Sequence, residues 1–239
     1  MKSSPTTNLE HGVTNANPWQ VFGSAGLPDP AWAAVYHDDF VDFLTGKYNI
    51  TIVGTGSGAP TNYDGGALLL TNSAGASDST VMQCQGAAFA VGGSRKTFYK
   101  AKIIASDQAN QIMAGLGSVG TTYAGITDGI FIRKDTGGAL FLDTKVGGVT
   151  TTYALSPTFV AAVATEVGFT VDGSGEISVF IGSTSGNSPV PAGNLRGPAF
   201  RVSPAALPTA LLTPTLCFIN GSAATRTLTV DFQTAARHR

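Results

Sequence analysis

Charge is what this chain has least of. Lys, Arg, Asp and Glu together make up 12% of its 239 residues, and the net charge is −1. A nucleic-acid partner requires a basic face that neutralises phosphates, so that class is excluded. Glutamate is scarcer still, with only Glu10, Glu166 and Glu176. Glycosidases flank the scissile bond with a pair of carboxylates. On a sheet these usually alternate along one strand, so that both point into the cleft. Here Glu10 lies far from any strand-like text, Glu176 opens a hairpin strand, and no E-x-D-x-x-E run occurs. Asp38, Asp39 and Asp42 cluster at the first apolar segment and read as solvated charge at an edge or turn. No catalytic residue is assigned, and the chain is expected not to be an enzyme.

Other chemistries lack their residues too. His11, His37 and His238 are the only histidines, and none stands at metal-ligand spacing or beside a nucleophile. Cys84 and Cys217 lie in the apolar segments VMQCQ and TLCFI. They read as small buried hydrophobes, with a disulfide between adjacent strands as the alternative. Without a nearby His they form no zinc pattern. There is no P-loop and no G-x-S-x-G. GLGSVG (115–120) has the spacing of a dinucleotide fingerprint, but strand-like, glycine-broken text follows it instead of a helix, so it reads as a turn. Asp135 and Asp172-Gly173 could join a calcium site, yet turn chemistry accounts for them. No metal and no cofactor is expected. No apolar run approaches the length of a membrane helix. Met1–Asn17 carries one Lys and no apolar segment of the secretory kind, which points to assembly in a cytoplasm with no membrane partner. The glycosylation triplets at Asn49 and Asn220 are then not informative.

Glycine, by contrast, is abundant, at 30 residues. From Asp38 onward short β-rich segments alternate with Gly, Asn, Asp and Pro turns. The strands expected are 38–44, 48–53, 67–71, 79–85, 96–106, 111–117, 129–135, 139–146, 148–155, 165–172, 176–182, 213–220 and 226–235. Gly147-Gly148 and the DGSG run at 172–175 are hairpin signals. Residues 54–66 read as a long turn, and 182–210 as a Pro/Gly-rich surface loop of functional length. Only 157–166 could hold a helical turn. About a dozen strands at regular spacing mean an antiparallel sandwich or barrel.

Residues 1–37 differ from this pattern. Isolated aromatics stand among Gly23, Gly26, Pro28 and Pro30 with no period, which predicts an extended N-terminal arm ahead of a sandwich domain at 38–239. Trp19, Phe22 and Trp32 are its candidate anchors on a partner surface.

In order and spacing, several segments resemble concanavalin A-like jelly-roll structural proteins of tailed-phage virions. These are DDFVDFL through VMQCQ, then GITDGIFIRKDTGGALFLDTKVGG, EVGFTVDGSGEISVFIG and CFINGSAATRTLTVDFQTA. The resemblance spans roughly residues 12–237. It implies an all-β concanavalin A-like jelly roll and a virion location, and it carries no catalytic residues. The function it suggests is a capsid decoration or cement protein, bound to the major capsid protein as a homo-oligomer, with a homotrimer expected. Two alternatives stand beside it. One is a carbohydrate-binding host-attachment module using Tyr63, Tyr123 and Tyr153. The other is a tail or adaptor protein.

Overall fold

A computed structural model describes residues 33–61, 65–183 and 200–238. Its strands are β1 Ala33–Asp38, β2 Tyr48–Val53, β3 Gly56–Pro60, β4 Leu68–Asn72, β5 Ser79–Cys84, β6 Thr97–Ala105, β7 Asn110–Gly117, β8 Gly129–Lys134, β9 Ala139–Val146, β10 Val149–Thr158, β11 Thr165–Val171, β12 Ile177–Ser183, β13 Phe200–Val202, β14 Thr213–Asn220 and β15 Arg226–His238. They pair antiparallel in two sheets. One is eight-stranded in the order β13-β12-β11-β6-β15-β4-β3, with β1 also on β15, and the other is seven-stranded in the order β10-β9-β8-β7-β14-β5-β2.

The period of two along each strand builds the core. Tyr99, Ala101, Ile103 and Ala105 of β6 and Val167, Phe169 and Val171 of β11 point inward from the first sheet. Ile112, Ala114 and Leu116 of β7, Leu140 and Leu142 of β9, and Leu216 and Phe218 of β14 meet them from the second. The alternate residues of the same strands face outward. The chain is thus an all-β antiparallel sandwich.

Both hairpin signals form. Val146 pairs with Val149 across Gly147-Gly148, whose φ values are +57° and +84°. Two consecutive positive φ values are what a two-residue hairpin loop requires. Gly148→Ala is therefore expected to cost about 1–2 kcal/mol, read as a fall of a few degrees in the melting temperature. In the second hairpin Asp172 Oδ1 accepts from the Ser174 amide and hydroxyl and from the Glu176 amide at 2.7–2.9 Å. That carboxylate closes a turn.

Four expectations need correction. Residues 33–37 belong to β1, because they pair with Thr234–His238 of β15, and so lie in the sandwich. Residues 39–44 form no strand: Asp38 Oδ1 accepts the Phe40 amide at 2.8 Å, and buried Phe40 takes φ +57°, which turns the chain away. Gly56–Pro60, inside the expected long turn, pairs residue by residue with β4. Residues 157–166 hold no helical turn, since β10 runs to Thr158 and β11 begins at Thr165.

Candidate functional site

The outer face of the seven-stranded sheet carries a connected polar cluster around Asp143. Strand register sets its rows. Thr152 of β10 lies opposite Asp143 of β9, and Asp143 lies opposite Phe131 of β8. In the next row Phe141 lies opposite Arg133, and Arg133 opposite Met113 of β7. These residues alternate with the inward-facing Ile132 and Leu142, so one strand period supplies both core and site.

Asp143 is the hub, with 1% of its surface exposed. It accepts from Arg133 Nε at 2.6 Å, Tyr123 Oη at 2.7 Å and Thr152 Oγ1 at 2.8 Å. Arg133 also reaches Asp135 at 3.0 Å, and Gln111 donates to Asp135 at 2.6 Å. The guanidinium lies 4.5 Å from the Phe141 ring centroid. Lys145 Nζ donates to the Tyr123 carbonyl at 2.7 Å and lies 4.4 Å from its ring centroid. Burial, reinforced by the Asp143 carboxylate, raises the Tyr123 phenol well above its usual range.

The loop between β7 and β8 folds over this face and delivers Tyr123. Ser118 Oγ accepts the amides of Thr127 and Asp128 at 3.2 and 3.1 Å, which closes the base of the loop. Beneath the loop, Phe131 packs with Ile126, Met113 and Cys217, and edge-on to Tyr123 at 5.5 Å. Its ring needs space that only glycine leaves. A Cβ at Gly117 or Gly129 would approach the ring to 2.7 or 2.4 Å, and one at Gly115 would meet the Ile130 carbonyl at 2.0 Å. Gly115 and Gly117 of GLGSVG are therefore strand glycines, Gly117 leaving room for the Phe131 ring and Gly115 for the β8 backbone. The result is an open trough of about 540 Å3, bordered by Val53, Ser79, Gln111, Tyr123, Arg133 and Thr152.

The residues singled out in the sequence scatter. Tyr123 is in the trough. Tyr153 faces the other side of β10, with its ring centroid 6.0 Å from that of Phe200. Trp19, Phe22, Trp32 and Tyr63 lie outside the described residues. Glu166 of β11 pairs with Lys100 at 2.9 Å, and Glu176, in the β11–β12 turn, lies 3.7 Å from Arg201, both away from the trough's sheet. Cys84 and Cys217 are free thiols. Cys84 lies opposite Tyr48, whereas Cys217 lies opposite Val81 and Met113, and burial pushes the Cys217 thiol up to about 12. They behave as packing residues and form no disulfide. Among the described residues no group of three or more His, Cys, Asp or Glu is placed to hold a metal ion.

Sequence reading passed over Arg133, Asp143 and Thr152. A signal was present: FIRKD and FLDTKV each place a charge at an outward position of an apolar strand. What was missing was the register that puts the two charges side by side.

No protein-family model and no curated protein matches the sequence. Solved structures do match its fold. The endo-1,3-beta-glucanase from Streptomyces sioyaensis aligns with a TM-score of 0.60 at 12% identity, covering 90% of this chain and 99% of that one. A protein of unknown function from Shewanella oneidensis MR-1 gives 0.57 at 14% identity, covering 87% of each chain. Peanut lectin gives 0.56 at 11% identity, covering 86% of this chain and 97% of that one. At such identities the likeness speaks for the fold alone, and the chain has the concanavalin A-like, lectin-type β-sandwich fold.

Proposed function

We propose that this chain is a non-catalytic structural protein of a tailed-phage virion, a decoration or cement protein that binds the assembled head. The observation that carries the non-catalytic part is the state of the two carboxylates on the outer face. Glycoside hydrolysis needs one carboxyl that stays protonated near neutral pH and one left free to act as base or nucleophile. Asp143 is buried and saturated by Arg133, Tyr123 and Thr152. Burial acts to raise the Asp135 carboxyl, but the Thr136 amide, Gln111 and Arg133 outweigh it and hold it below the usual carboxylate range. Asp135 is thus held ionised, Asp143 has its oxygens engaged, and one guanidinium ties down both. The face is built to keep a shape.

Shell binding is supported by three features. The sequence resembles virion jelly-roll proteins across most of its length. The low charge suits a protein that ends up packed against other protein. The aromatics of residues 1–32 have the composition of interface anchors. A ligand that binds only the assembled shell stabilises it by mass action. The major capsid protein is then the partner and the virion the location. Trp19→Ala is expected to lower occupancy on purified shells about thirtyfold at limiting concentration, since interface aromatics cost roughly 2 kcal/mol or more on truncation. A variant that binds shells normally but melts many degrees lower would place Trp19 in the core and remove the clamp.

Carbohydrate binding is the second reading, favoured by the trough itself. Its volume suits a small-ligand site, and its lining mixes an aromatic with hydroxyl and amide groups. Titrating neutral oligosaccharides into the wild type and into Thr150→Trp, which fills the trough, decides the matter. Heat of binding that vanishes in the variant supports this reading, and no heat in either removes it.

A further inference from the structure

We infer that β10 is a self-pairing edge, through which two copies of this chain join their seven-stranded sheets into one sheet of fourteen strands about a two-fold axis. Among the described residues β10 ends that sheet and pairs only with β9. The hairpin at Gly147-Gly148 fixes its polarity. Val149 opposite Val146 is the hydrogen-bonded pair next to a two-residue loop, so Thr151, Tyr153 and Leu155 also direct their amides to β9. Thr150, Thr152, Ala154 and Ser156 therefore direct their N–H and C=O groups away from the sheet. None of the four makes a further backbone hydrogen bond within the described chain, and all four are exposed.

Natural edges are guarded by charge, proline, bulges or brevity. Among the described edge strands, β13 has three residues and β3 has five, ending in Pro60. β2 has six. β10 has ten, carries no charge, and has its one proline, Pro157, at the far end, so Val149–Leu155 form a seven-residue stretch free of charge and proline. No Lys, Arg, Asp or Glu occurs between Lys145 and Glu166. A bulge comes only at its far end, between Leu155 and Thr158, followed by the turn into β11. Val149 is 71% exposed at the near end.

The occupant follows from these features. An antiparallel strand meeting its own copy about a two-fold is self-complementary, since each pair of residues occurs twice. Such contact requires that the strand not repel itself, and β10 has nothing to repel with. A dissimilar partner selected by charge would have left complementary charges here, and none is present. The net charge of −1 adds no long-range repulsion between copies. Because Thr150 and Thr152 also border the trough, pairing sets two troughs on one face, on either side of the axis. A contact made by one strand is small, so a concentration-dependent dimer is expected. Such a two-fold dimer differs from the homotrimer expected from the sequence. The inference does not depend on what the troughs or the arm bind.

The test measures the mass of the full chain by native mass spectrometry and light scattering over a micromolar concentration series. The wild type should pass from 24.4 kDa to twice that value. Ala154→Pro deletes an outward N–H, which an edge strand tolerates, and should weaken the dimer about tenfold or more while leaving the circular dichroism unchanged. If that variant misfolds, Thr151→Lys places like charges near the axis and should do the same. Backbone amides of Thr150, Thr152, Ala154 and Ser156 should exchange more slowly with deuterium as the dimer fills. A wild type that stays monomeric, a trimer, or a dimer indifferent to both variants would each overturn the inference.

Discussion

Lys134→Met should lower stability by about 3–5 kcal/mol, a fall of roughly 6–20 °C in the melting temperature of a domain this size. Lys134 points inward from β8, with 1% of its surface exposed. Its ammonium donates to the Gln108 carbonyl, the Asn110 carbonyl and Asn110 Oδ1, each at 2.7 Å, and reaches the Asp107 carbonyl at 3.4 Å. The Phe159 ring centroid lies 5.8 Å away. These oxygens come from the connection between β6 and β7 and from Asn110, the first residue of β7, which together wrap the cation much as a loop wraps a metal ion. Methionine retains the stem volume and removes every donor. Each buried acceptor left without a partner costs about 1–3 kcal/mol. Arginine should not rescue the loss, because a planar fork cannot enter a site shaped for a compact ammonium. A melting temperature within about 2 °C of wild type, at 2–4 °C per kcal/mol, would show that the lysine is not what holds the loop.

The second large effect is at Asp143. Asp143→Ala should cost about 3–5 kcal/mol, because removing one member of a buried pair strands the other. Arg133 would keep only Asp135, and the Tyr123 hydroxyl and Thr152 would lose their acceptor. The loop carrying Tyr123 should loosen, since Asp143 and the Phe131 ring are what the tyrosine packs on. The companion experiment replaces both charges, Asp143→Leu with Arg133→Met. Exchanging a whole buried pair for apolar residues is often neutral or stabilising, so the double variant should melt above Asp143→Ala alone. If Asp143→Ala melts like the wild type, the carboxylate is not structurally committed, and the case against hydrolysis loses its main support.

Most of the architecture was legible because alternation and turn residues agree along most of the chain. β2, β9 and β14 occupy the residues their patterns predict, and both glycine-bearing turns close hairpins. The failures have a common cause, which is pairing between segments far apart in sequence. GSGAP has no strand propensity, and its register with Leu68–Asn72 makes it β3. AAVYHD has no clear period, and it becomes a strand because His37 meets Thr234 almost two hundred positions later. The Ala- and Val-rich text at 157–166 looks helical locally, but the ends of β10 and β11 leave room only for a turn. The candidate site failed in the same way. Arg133 and Asp143 are ten positions apart, and only the β8–β9 hairpin shows that they touch. Tyr123 was singled out as a glycan contact, whereas its hydroxyl is spent on Asp143. Of the glutamates weighed as catalytic groups, Glu166 lies in β11 of the opposite sheet and Glu176 in the turn before β12, and Glu10 lies outside the described residues.

The proposed place of this chain in a virion is tested most directly by cryo-electron microscopy of the native particle that carries it. The account predicts density for this β-sandwich repeated over the outer surface of the head lattice, with residues 1–32 running onto neighbouring capsid subunits. A fully resolved head lattice with no such density would contradict it.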